Sequence, residues 1–95
     1  MQSIEFIDGI KANQEHPTTF HIPSVEEKQL LTVGDYVKVG FQSKYGNERM
    51  WLQIEEVAYP KFHGKLDNDP VVIKNIKCGD SFEVTANHIL DFIKS

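Results

Sequence analysis

Residue types that could carry catalysis are few and scattered in this sequence of 95 residues. Four histidines and a single cysteine are potential zinc ligands, but none of them stands at a short paired spacing such as Cys-x-x-Cys. Ser81 has a glycine two residues before it, but a glutamate stands two residues after it where a nucleophile elbow needs the second glycine. No glycine-rich loop could hold a phosphate group. Because no motif combines a base, a nucleophile and an orienting group, the sequence predicts no catalytic residue, no metal, no cofactor and no enzymatic activity.

Asp67, Asn68 and Asp69 form the densest group of oxygen ligands in the chain. Carboxylate and amide oxygens suit Ca²⁺ and Mg²⁺, but Pro70 and Val71 stand where a calcium loop of the EF-hand type continues with further ligands and a glycine. Asp and Asn before proline are ordinary turn residues, whose side chains accept hydrogen bonds from nearby backbone amides. We therefore expect a turn here, with a metal site as the alternative.

Trp51 is the main candidate for a binding residue. Side chains alternate along the predicted strand that contains it, so Trp51 faces away from the apolar row of Met50, Leu52 and Ile54. An exposed tryptophan on a small sheet is a frequent anchor for protein partners. In the competing interpretation, one of two N-terminal helices covers Trp51.

Three residues would lie near Trp51: Tyr36 and Lys38 on the neighbouring strand, and Arg49 two residues before it in the sequence. Aromatic rings beside Lys or Arg are typical of barrels that bind single-stranded nucleic acid. Acidic residues at positions 48, 55 and 56 stand close by in the sequence and would oppose a phosphate backbone. Nucleic acid is therefore the less favoured partner.

The balance of acidic and basic residues limits the classes of partner that the protein is expected to bind. Ten Lys and Arg residues against fourteen Asp and Glu residues give a net charge of −4 and a pI near 5.5. These values disfavour a positive electrostatic field over the whole surface, which would attract nucleic acid or anionic lipid. No apolar run is long enough to cross a bilayer, no secretory signal is visible, and the lone Cys78 allows no intrachain disulfide. We expect a cytoplasmic protein without membrane contact, a monomer or a weak dimer.

The elements that must position these residues begin with two short helices. Isoleucines at positions 4, 7 and 10 predict an amphipathic helix over residues 3–13. Ser24 and Glu27 form a capping box, in which each side chain accepts a hydrogen bond from the backbone amide of the other, and this motif predicts a helix over residues 25–31. Either helix carries apolar side chains with which it could cover Trp51.

From Gly34 onward, apolar residues recur with a period of two, which is typical of strands. Residues 36–41 and 50–54 predict two strands joined by a hairpin loop over 43–48. The alternation changes phase near residues 55–56, which indicates either a bulge there or a strand with both faces partly covered. Further short strands are predicted over residues 62–66, 71–73, 81–85 and 89–93, with one helical turn at 86–88.

The expected fold class is α+β, with a small, strongly bent antiparallel sheet or SH3-like barrel of five to six short strands and one or two short N-terminal helices. A chain of this length forms a single domain. Within residues 1–95, we assign 1–17 to a helical extension and 22–93 to the β core.

Four blocks of the sequence resemble an uncharacterised bacterial family, domain of unknown function 2314. They are Gly-Asp-Tyr-Val-Lys-Val-Gly-Phe at 34–41, Glu-Arg-Met-Trp-Leu-Gln-Ile at 48–54, Gly-Lys-Leu-Asp-Asn-Asp-Pro at 64–70, and Gly-Asp at 79–80 with His-Ile at 88–89. The resemblance runs from about Ile22 to Phe92 and leaves out the segment before Pro17. It implies a small, mostly β bacterial domain, and it transfers no activity and no catalytic residue.

Together these patterns predict a non-enzymatic protein-binding module, of an immunity or antidote type or with a regulatory role. The acidic balance favours a basic protein partner, such as an inhibited toxin. The predicted binding residues lie on the outward face and in the turn after it: Trp51, Tyr36, Lys38, Arg49, Asp67, Asn68 and Asp69. The alternatives are a nucleic-acid-associated regulator that uses the same aromatic and basic face, and a small metal-dependent enzyme with Asp67, Asp69 and His88 as ligands.

Overall fold

The computed structural model describes residues 4–18 and 21–95. Its sheet is a strongly curled antiparallel half-barrel accompanied by short helices, so the predicted α+β fold class is confirmed. The strands are β1 (Glu5–Phe6), β2 (Tyr36–Ser43), β3 (Gly46–Ala58), β4 (Lys61–Leu66), β5 (Ser81–Thr85) and β6 (Ile89–Ile93). The helices are α1 (Gly9–Glu15) and α2 (Val25–Gln29), and a 3₁₀ turn (Ala86–His88) leads into β6.

The long strands β2 and β3 form the centre of the sheet. Neighbouring strands follow the order β1-β2-β3-β4-β5, and β6 returns to pair with β2 on the edge that β2 also offers to β1. The first half of β3 pairs with β2 and its second half pairs with β4. Because one long strand is shared between two partners in this way, the sheet can curl around its own core.

The alternation predicted for β2 and β3 is confirmed. The side chains on the inner side of these strands are at most 3% exposed: Val37, Val39, Phe41, Met50, Leu52 and Ile54. Apolar residues of later segments complete the core: Phe62, Leu66, Ile73, Val84 and Ile89. Each fully buried side chain of this size contributes about 1.5–3 kcal/mol relative to exposure, so this core is the main stabilising feature of the fold.

The β2–β3 hairpin turns more tightly than the loop predicted over residues 43–48. Ser43 pairs with Gly46, which leaves Lys44 and Tyr45 as the turn. The Oγ atom of Ser43 accepts a hydrogen bond from the backbone N of Tyr45 (3.1 Å) and donates one to the carbonyl O of Gly46 (3.3 Å). Gly46 has a φ of 123°, which glycine adopts without steric cost. Farther along β3, the register shifts between Ile54 and residue 56, so of the two alternatives for residues 55–56 the structure has the bulge.

The N-terminal helix begins later in the chain than the sequence predicted. Residues 5–6 pair with β2 as a strand, and α1 begins at Gly9 after Asp8, whose side chain accepts a hydrogen bond from the backbone N of Lys11 (3.0 Å). The predicted start at Ser3 lies outside the described residues. A segment this short is a marginal helix by itself, so pairing with β2 determines its conformation.

The strand predicted over residues 71–73 is also wrong. This segment is irregular and lies against the carboxylate of Glu48, with Ile73 in the core. A short apolar run does not by itself distinguish a strand from another buried segment. By contrast, α2 begins as predicted, with both hydrogen bonds of the capping box between Ser24 and Glu27 present, although it ends two residues earlier than expected.

Candidate binding surface

The outer side of the sheet brings aromatic, basic and acidic residues together. Tyr36 and Lys38 lie two residues apart on β2, and Lys38 is the register partner of Trp51 on β3. On the other side of β2, Ile93 of β6 pairs with Tyr36. Asp67 follows β4, and its backbone N donates a hydrogen bond to the carbonyl O of Trp51 at 2.9 Å. We call these five residues the Trp51 surface.

The Trp51 surface contains an open concavity of about 220 Å³. Four residues line it: Tyr36, Trp51, Asp67 and Ile93. Two aromatic rings and an isoleucine give it apolar walls, and Asp67 adds a carboxylate. The concavity therefore combines apolar contact area with a negative charge.

The two aromatic side chains have polar neighbours that restrict their orientation. The Nζ atom of Lys38 lies 5.8 Å from the centroid of the Trp51 ring, a cation–π distance. The Nε2 atom of Gln53 donates a hydrogen bond to the hydroxyl of Tyr36 (3.3 Å) and a long one to the carbonyl O of Gly34 (3.5 Å). Side chains that are ordered in advance lose less entropy when a partner binds.

The turn after β4 is joined to Trp51 through the backbone. The Oδ1 atom of Asn68 accepts a hydrogen bond from the backbone N of Trp51 at 2.6 Å. The sequence predicted that this side chain accepts from a backbone amide close to it in the chain. That prediction is wrong for Asn68, because its partner lies 17 residues away in the sequence. Asp69 is exposed on the same turn. Together with the amide of Asp67, Asn68 continues the pairing with β3 and places Asp67 beside Trp51.

The N-terminal segments pack elsewhere than over the concavity. Ile7 lies over Gly40 of β2: its backbone N donates to the carbonyl O of Gly40 (2.9 Å), and a Cβ on Gly40 would stand 2.5 Å from its Cδ1 atom. In the segment that follows α2, Leu31 is 3% exposed in the core while Leu30 is 72% exposed. The lining residues belong to neither helix, so the interpretation in which a helix covers Trp51 finds no support in the described residues.

Exposed apolar residues also occur in the segment after α2 and on β6. Leu30, Val33 and Ile93 are 72%, 59% and 53% exposed. The Nζ atom of Lys94, the residue after Ile93, donates a hydrogen bond to the carbonyl O of Leu30 at 2.8 Å, which holds the two segments together. Of the three, Ile93 lines the concavity beside the two aromatic rings, and exposed apolar area next to an aromatic anchor is typical of protein interfaces.

Arg49 continues the outer face in the other direction. It is exposed and lies two residues before Trp51 on β3, so the aromatic and basic residues predicted to share a face do share it. The predicted acidic neighbours are arranged differently. Glu48 turns to the inner side, and Glu55 forms an exposed ion pair with Lys65 at 3.6 Å.

Two carboxylates on the inner side bind backbone amides of distant segments, which was not predicted from the sequence. Asp35 is 1% exposed, and its carboxylate accepts hydrogen bonds from the backbone N atoms of Thr32 and Ser95 and from Nζ of Lys94. Burial alone would raise the pKa of Asp35, but these donors outweigh it and lower the pKa to about 2. This carboxylate therefore fastens the end of the chain to the start of β2.

Glu48 has the corresponding role at the other end of the β2–β3 hairpin, where its carboxylate also binds backbone amides. Its carboxylate accepts hydrogen bonds from the three consecutive backbone N atoms of residues 71–73, at distances of 2.8, 3.0 and 3.1 Å. Burial would raise the pKa of Glu48, but these donors and the nearby Lys74 lower it below its ordinary value. Strand alternation could have revealed both residues, because Asp35 and Glu48 continue the inner rows of β2 and β3. A carboxylate on the inner side needs several hydrogen-bond donors.

The alternative metal site is not assembled in the described residues. The Nδ1 atom of His88 accepts a hydrogen bond from the backbone N of Thr85 (3.1 Å), and its ring lies 5.3 Å from that of Phe6. Burial lowers the pKa of His88, and the negative charge of Asp8 partly opposes this. Within residues 4–18 and 21–95, no three His, Cys, Asp or Glu side chains are grouped so that they could hold a metal ion.

The comparisons with known proteins point to one family. A family model described as an uncharacterized protein conserved in bacteria (DUF2314) matches residues 7–95. The match covers the whole Trp51 surface and also α1, which the resemblance noted in the sequence had left out. No curated protein and no solved structure matches the chain. In the part of the chain that the structure describes, no helix is long and apolar enough to cross a membrane.

Proposed function

The chain belongs to the DUF2314 family of bacterial proteins, whose function is uncharacterised, and from that premise we propose that it is a non-enzymatic protein-binding module. The observation that carries the proposal is the Trp51 surface. It joins two aromatic rings, an open concavity and the exposed apolar side chain of Ile93 on one side of the sheet. Interfaces draw most of their binding energy from such aromatic anchors.

A protein partner of basic character accounts for this surface best. The chain has a net charge of −4, and Asp67 places a carboxylate in the concavity itself. Acidic groups attract a basic partner during encounter and repel the phosphates of nucleic acid. Inhibition of a basic toxin and regulation of a basic cytoplasmic protein are both roles of this kind.

A role without catalysis is supported by where the carboxylates of two inner residues lie. Asp35 and Glu48 are turned to the inner side, and backbone donors occupy their oxygen atoms. Their lowered pKa values thus have a structural cause, whereas a general base that works near neutral pH needs a raised one.

The proposal is tested by affinity capture with the wild-type chain and the variant Trp51→Ala, followed by mass spectrometry. We expect the partner captured by the wild type to be lost with Trp51→Ala. Ile93→Thr serves as a second variant, since it keeps a β-branched residue on β6 and removes apolar area from the concavity. Val57→Ala, an exposed residue far along β3, is the matched control. Capture of the same partner by all four folded proteins would refute the proposal.

A nucleic-acid-associated regulator is the second candidate, because Lys38 and Arg49 share the outer face with Trp51. Binding to a phosphate backbone weakens steeply with added salt, in proportion to the phosphates contacted. The test is fluorescence anisotropy with single- and double-stranded oligonucleotides over a range of salt concentrations. No binding at low salt would remove this candidate, and a steep salt dependence that Arg49→Gln reduces would favour it over the first.

A further inference from the structure

We propose that the concavity of the Trp51 surface binds one arginine or lysine side chain of the partner. The rings of Tyr36 and Trp51 and the side chain of Ile93 contact its aliphatic stem and cationic head, and the carboxylate of Asp67 pairs with its charge. This inference rests on the proposed function and adds the chemical class of the side chain that the partner inserts.

The size and shape of the concavity fit one side chain. Its volume of about 220 Å³ lies below the roughly 300–1,000 Å³ that is typical of pockets for small-molecule ligands and cofactors. It is open to solvent and lies on an outer face, where a side chain projecting from another protein can reach it. Its lining residues belong to three paired strands and to the hydrogen-bonded turn after β4, so the site is formed before the partner arrives.

The lining residues favour a cation over other ligands. Aromatic faces attract ammonium and guanidinium groups, and long basic side chains bury their aliphatic stems against apolar surface. A carboxylate such as that of Asp67 forms a strong, charge-assisted hydrogen bond with either head group. An anionic ligand would meet this carboxylate directly, and a purely apolar side chain would remove it from water without giving it a partner.

Lys38 shows that the Trp51 ring can hold a cation, and its own charge opposes a cation that comes from a partner. Its Nζ atom lies 5.8 Å from the Trp51 ring centroid, so this ring already holds an ammonium group of the chain itself. The same positive charge repels an incoming cation. Arg49 adds a second positive charge on the same face, while Asp91, the register partner of Lys38 on β6, adds a negative one. Removing the charge of Lys38 should therefore strengthen binding of a cation and weaken binding of an anion.

Trp51 makes the experiment direct, because it is the only tryptophan of the chain and its fluorescence reports on the concavity. The probes are blocked pentapeptides, Gly-Gly-X-Gly-Gly, in which X is arginine, lysine, norleucine or glutamate. We expect the arginine and lysine peptides to bind with dissociation constants on the order of 1 mM. The norleucine peptide, which keeps the aliphatic stem without the charge, should bind about two- to fivefold more weakly.

Two charge variants and one control variant show which charges determine the affinity for the peptides. Asp67→Asn should weaken the arginine peptide about two- to fivefold, the size of an exposed ion pair. Asp69→Asn is the matched control, since it removes the same charge from the same turn outside the lining and should change affinity less than twofold. Lys38→Gln should tighten the arginine peptide by about twofold. Thermal unfolding of each variant confirms that it is folded.

Three outcomes would overturn the inference. Equal affinity for the norleucine and arginine peptides, together with no effect of Asp67→Asn, would show an apolar anchor. Binding of the glutamate peptide or of a single-stranded oligonucleotide that Lys38→Gln weakens would show an anionic ligand. No saturation by any peptide up to about 20 mM would show that no isolated side chain binds there. The proposed function would survive each peptide result, because it depends on whether Trp51→Ala and Ile93→Thr lose the captured protein.

Discussion

The inner and outer sides of the β2–β3 hairpin are built from alternate residues of the same two strands, and their environments differ sharply. On the inner side, the apolar side chains are at most 3% exposed. On the outer side, Tyr36, Lys38 and Trp51 are half-buried, while Arg49 and Gln53 are exposed. Alternation thus lets one hairpin carry the core and a binding surface, and substitutions on the two sides should separate stability from binding.

Polar residues follow different rules on the two sides. The inner carboxylates of Asp35 and Glu48 accept several hydrogen bonds each and fasten distant segments to the hairpin. On the outer side, Lys38 lies over an aromatic ring and Asp67 lines a concavity that is open to solvent. A buried charge is tolerated only when donors surround it, whereas an outer charge is available to a partner.

The largest effect on the inner side is expected for Phe41→Ala. The ring of Phe41 is fully buried and lies 5.2 Å from the rings of both Phe6 and Phe82, edge to face. We expect a loss of about 3–5 kcal/mol in the free energy of unfolding, because the cavity cannot close completely. The measurement is urea unfolding followed by circular dichroism. Gln53→Ala, on the outer side, should change stability by less than about 0.5 kcal/mol, and equal losses would contradict the comparison.

Asp35→Asn should have the next largest effect. The shift of the Asp35 pKa from 3.8 to about 2 corresponds to roughly 2 kcal/mol of stabilisation at neutral pH. The amide cannot form an ion pair with Lys94, so we expect a loss of about that size in urea unfolding. Glu83→Gln removes an exposed carboxylate and is the matched control. A loss no larger than that of the control would show that the inner carboxylate contributes nothing.

The pH dependence of stability gives a second measurement on Asp35→Asn. Because the pKa is lower in the folded than in the unfolded protein, the ionised carboxylate stabilises the fold above about pH 4. This contribution is lost as the pH falls toward 2. We expect the wild type and Glu83→Gln to lose stability in this range, and Asp35→Asn to show a flatter profile. Parallel profiles for all three proteins would contradict this role of Asp35.

A smaller, local effect is expected for Glu48→Gln. The neutral side chain keeps its size but loses charge-assisted hydrogen bonds to the amides of residues 71–73, so we expect a loss of about 1–2 kcal/mol. Hydrogen exchange of these three amides should become faster, while exchange in β5 should change little. Glu56→Gln, at an exposed position on the same strand, is the control. Unchanged exchange at residues 71–73 would show that the carboxylate does not hold the segment.

Strand alternation made the hairpin and the arrangement of its faces predictable. The period of two placed Tyr36, Lys38, Arg49 and Trp51 on one side, because a residue's face depends only on its position within its own strand. The capping box likewise fixed the start of α2, since its hydrogen bonds span only three residues. Features set by neighbouring residues were thus accessible from the sequence.

Features set by distant residues were not accessible in the same way. Asp67 and Asn68 lie beside Trp51 because of hydrogen bonds across 16 and 17 positions, and Ile93 joins them through a strand that returns from the end of the chain. The segment 71–73 is irregular because a carboxylate more than 20 residues earlier occupies its amides. Local apolar patterns contain no information on such pairings, so the turn after β4 was predicted but the hydrogen-bond partner of Asn68 was not.

Tyr36→Phe tests the outer side with the smallest expected effect. It removes only the hydroxyl, which accepts an exposed hydrogen bond from Gln53 at 3.3 Å. Stability in urea should therefore change by less than about 0.5 kcal/mol. Because the aromatic face remains, affinity for the arginine peptide should stay within about twofold of the wild type, whereas Tyr36→Ala should weaken it beyond that. If Tyr36→Phe weakens binding as much as Tyr36→Ala does, the hydroxyl and not the ring contacts the ligand, and the outer side recognises its partner by hydrogen bonding.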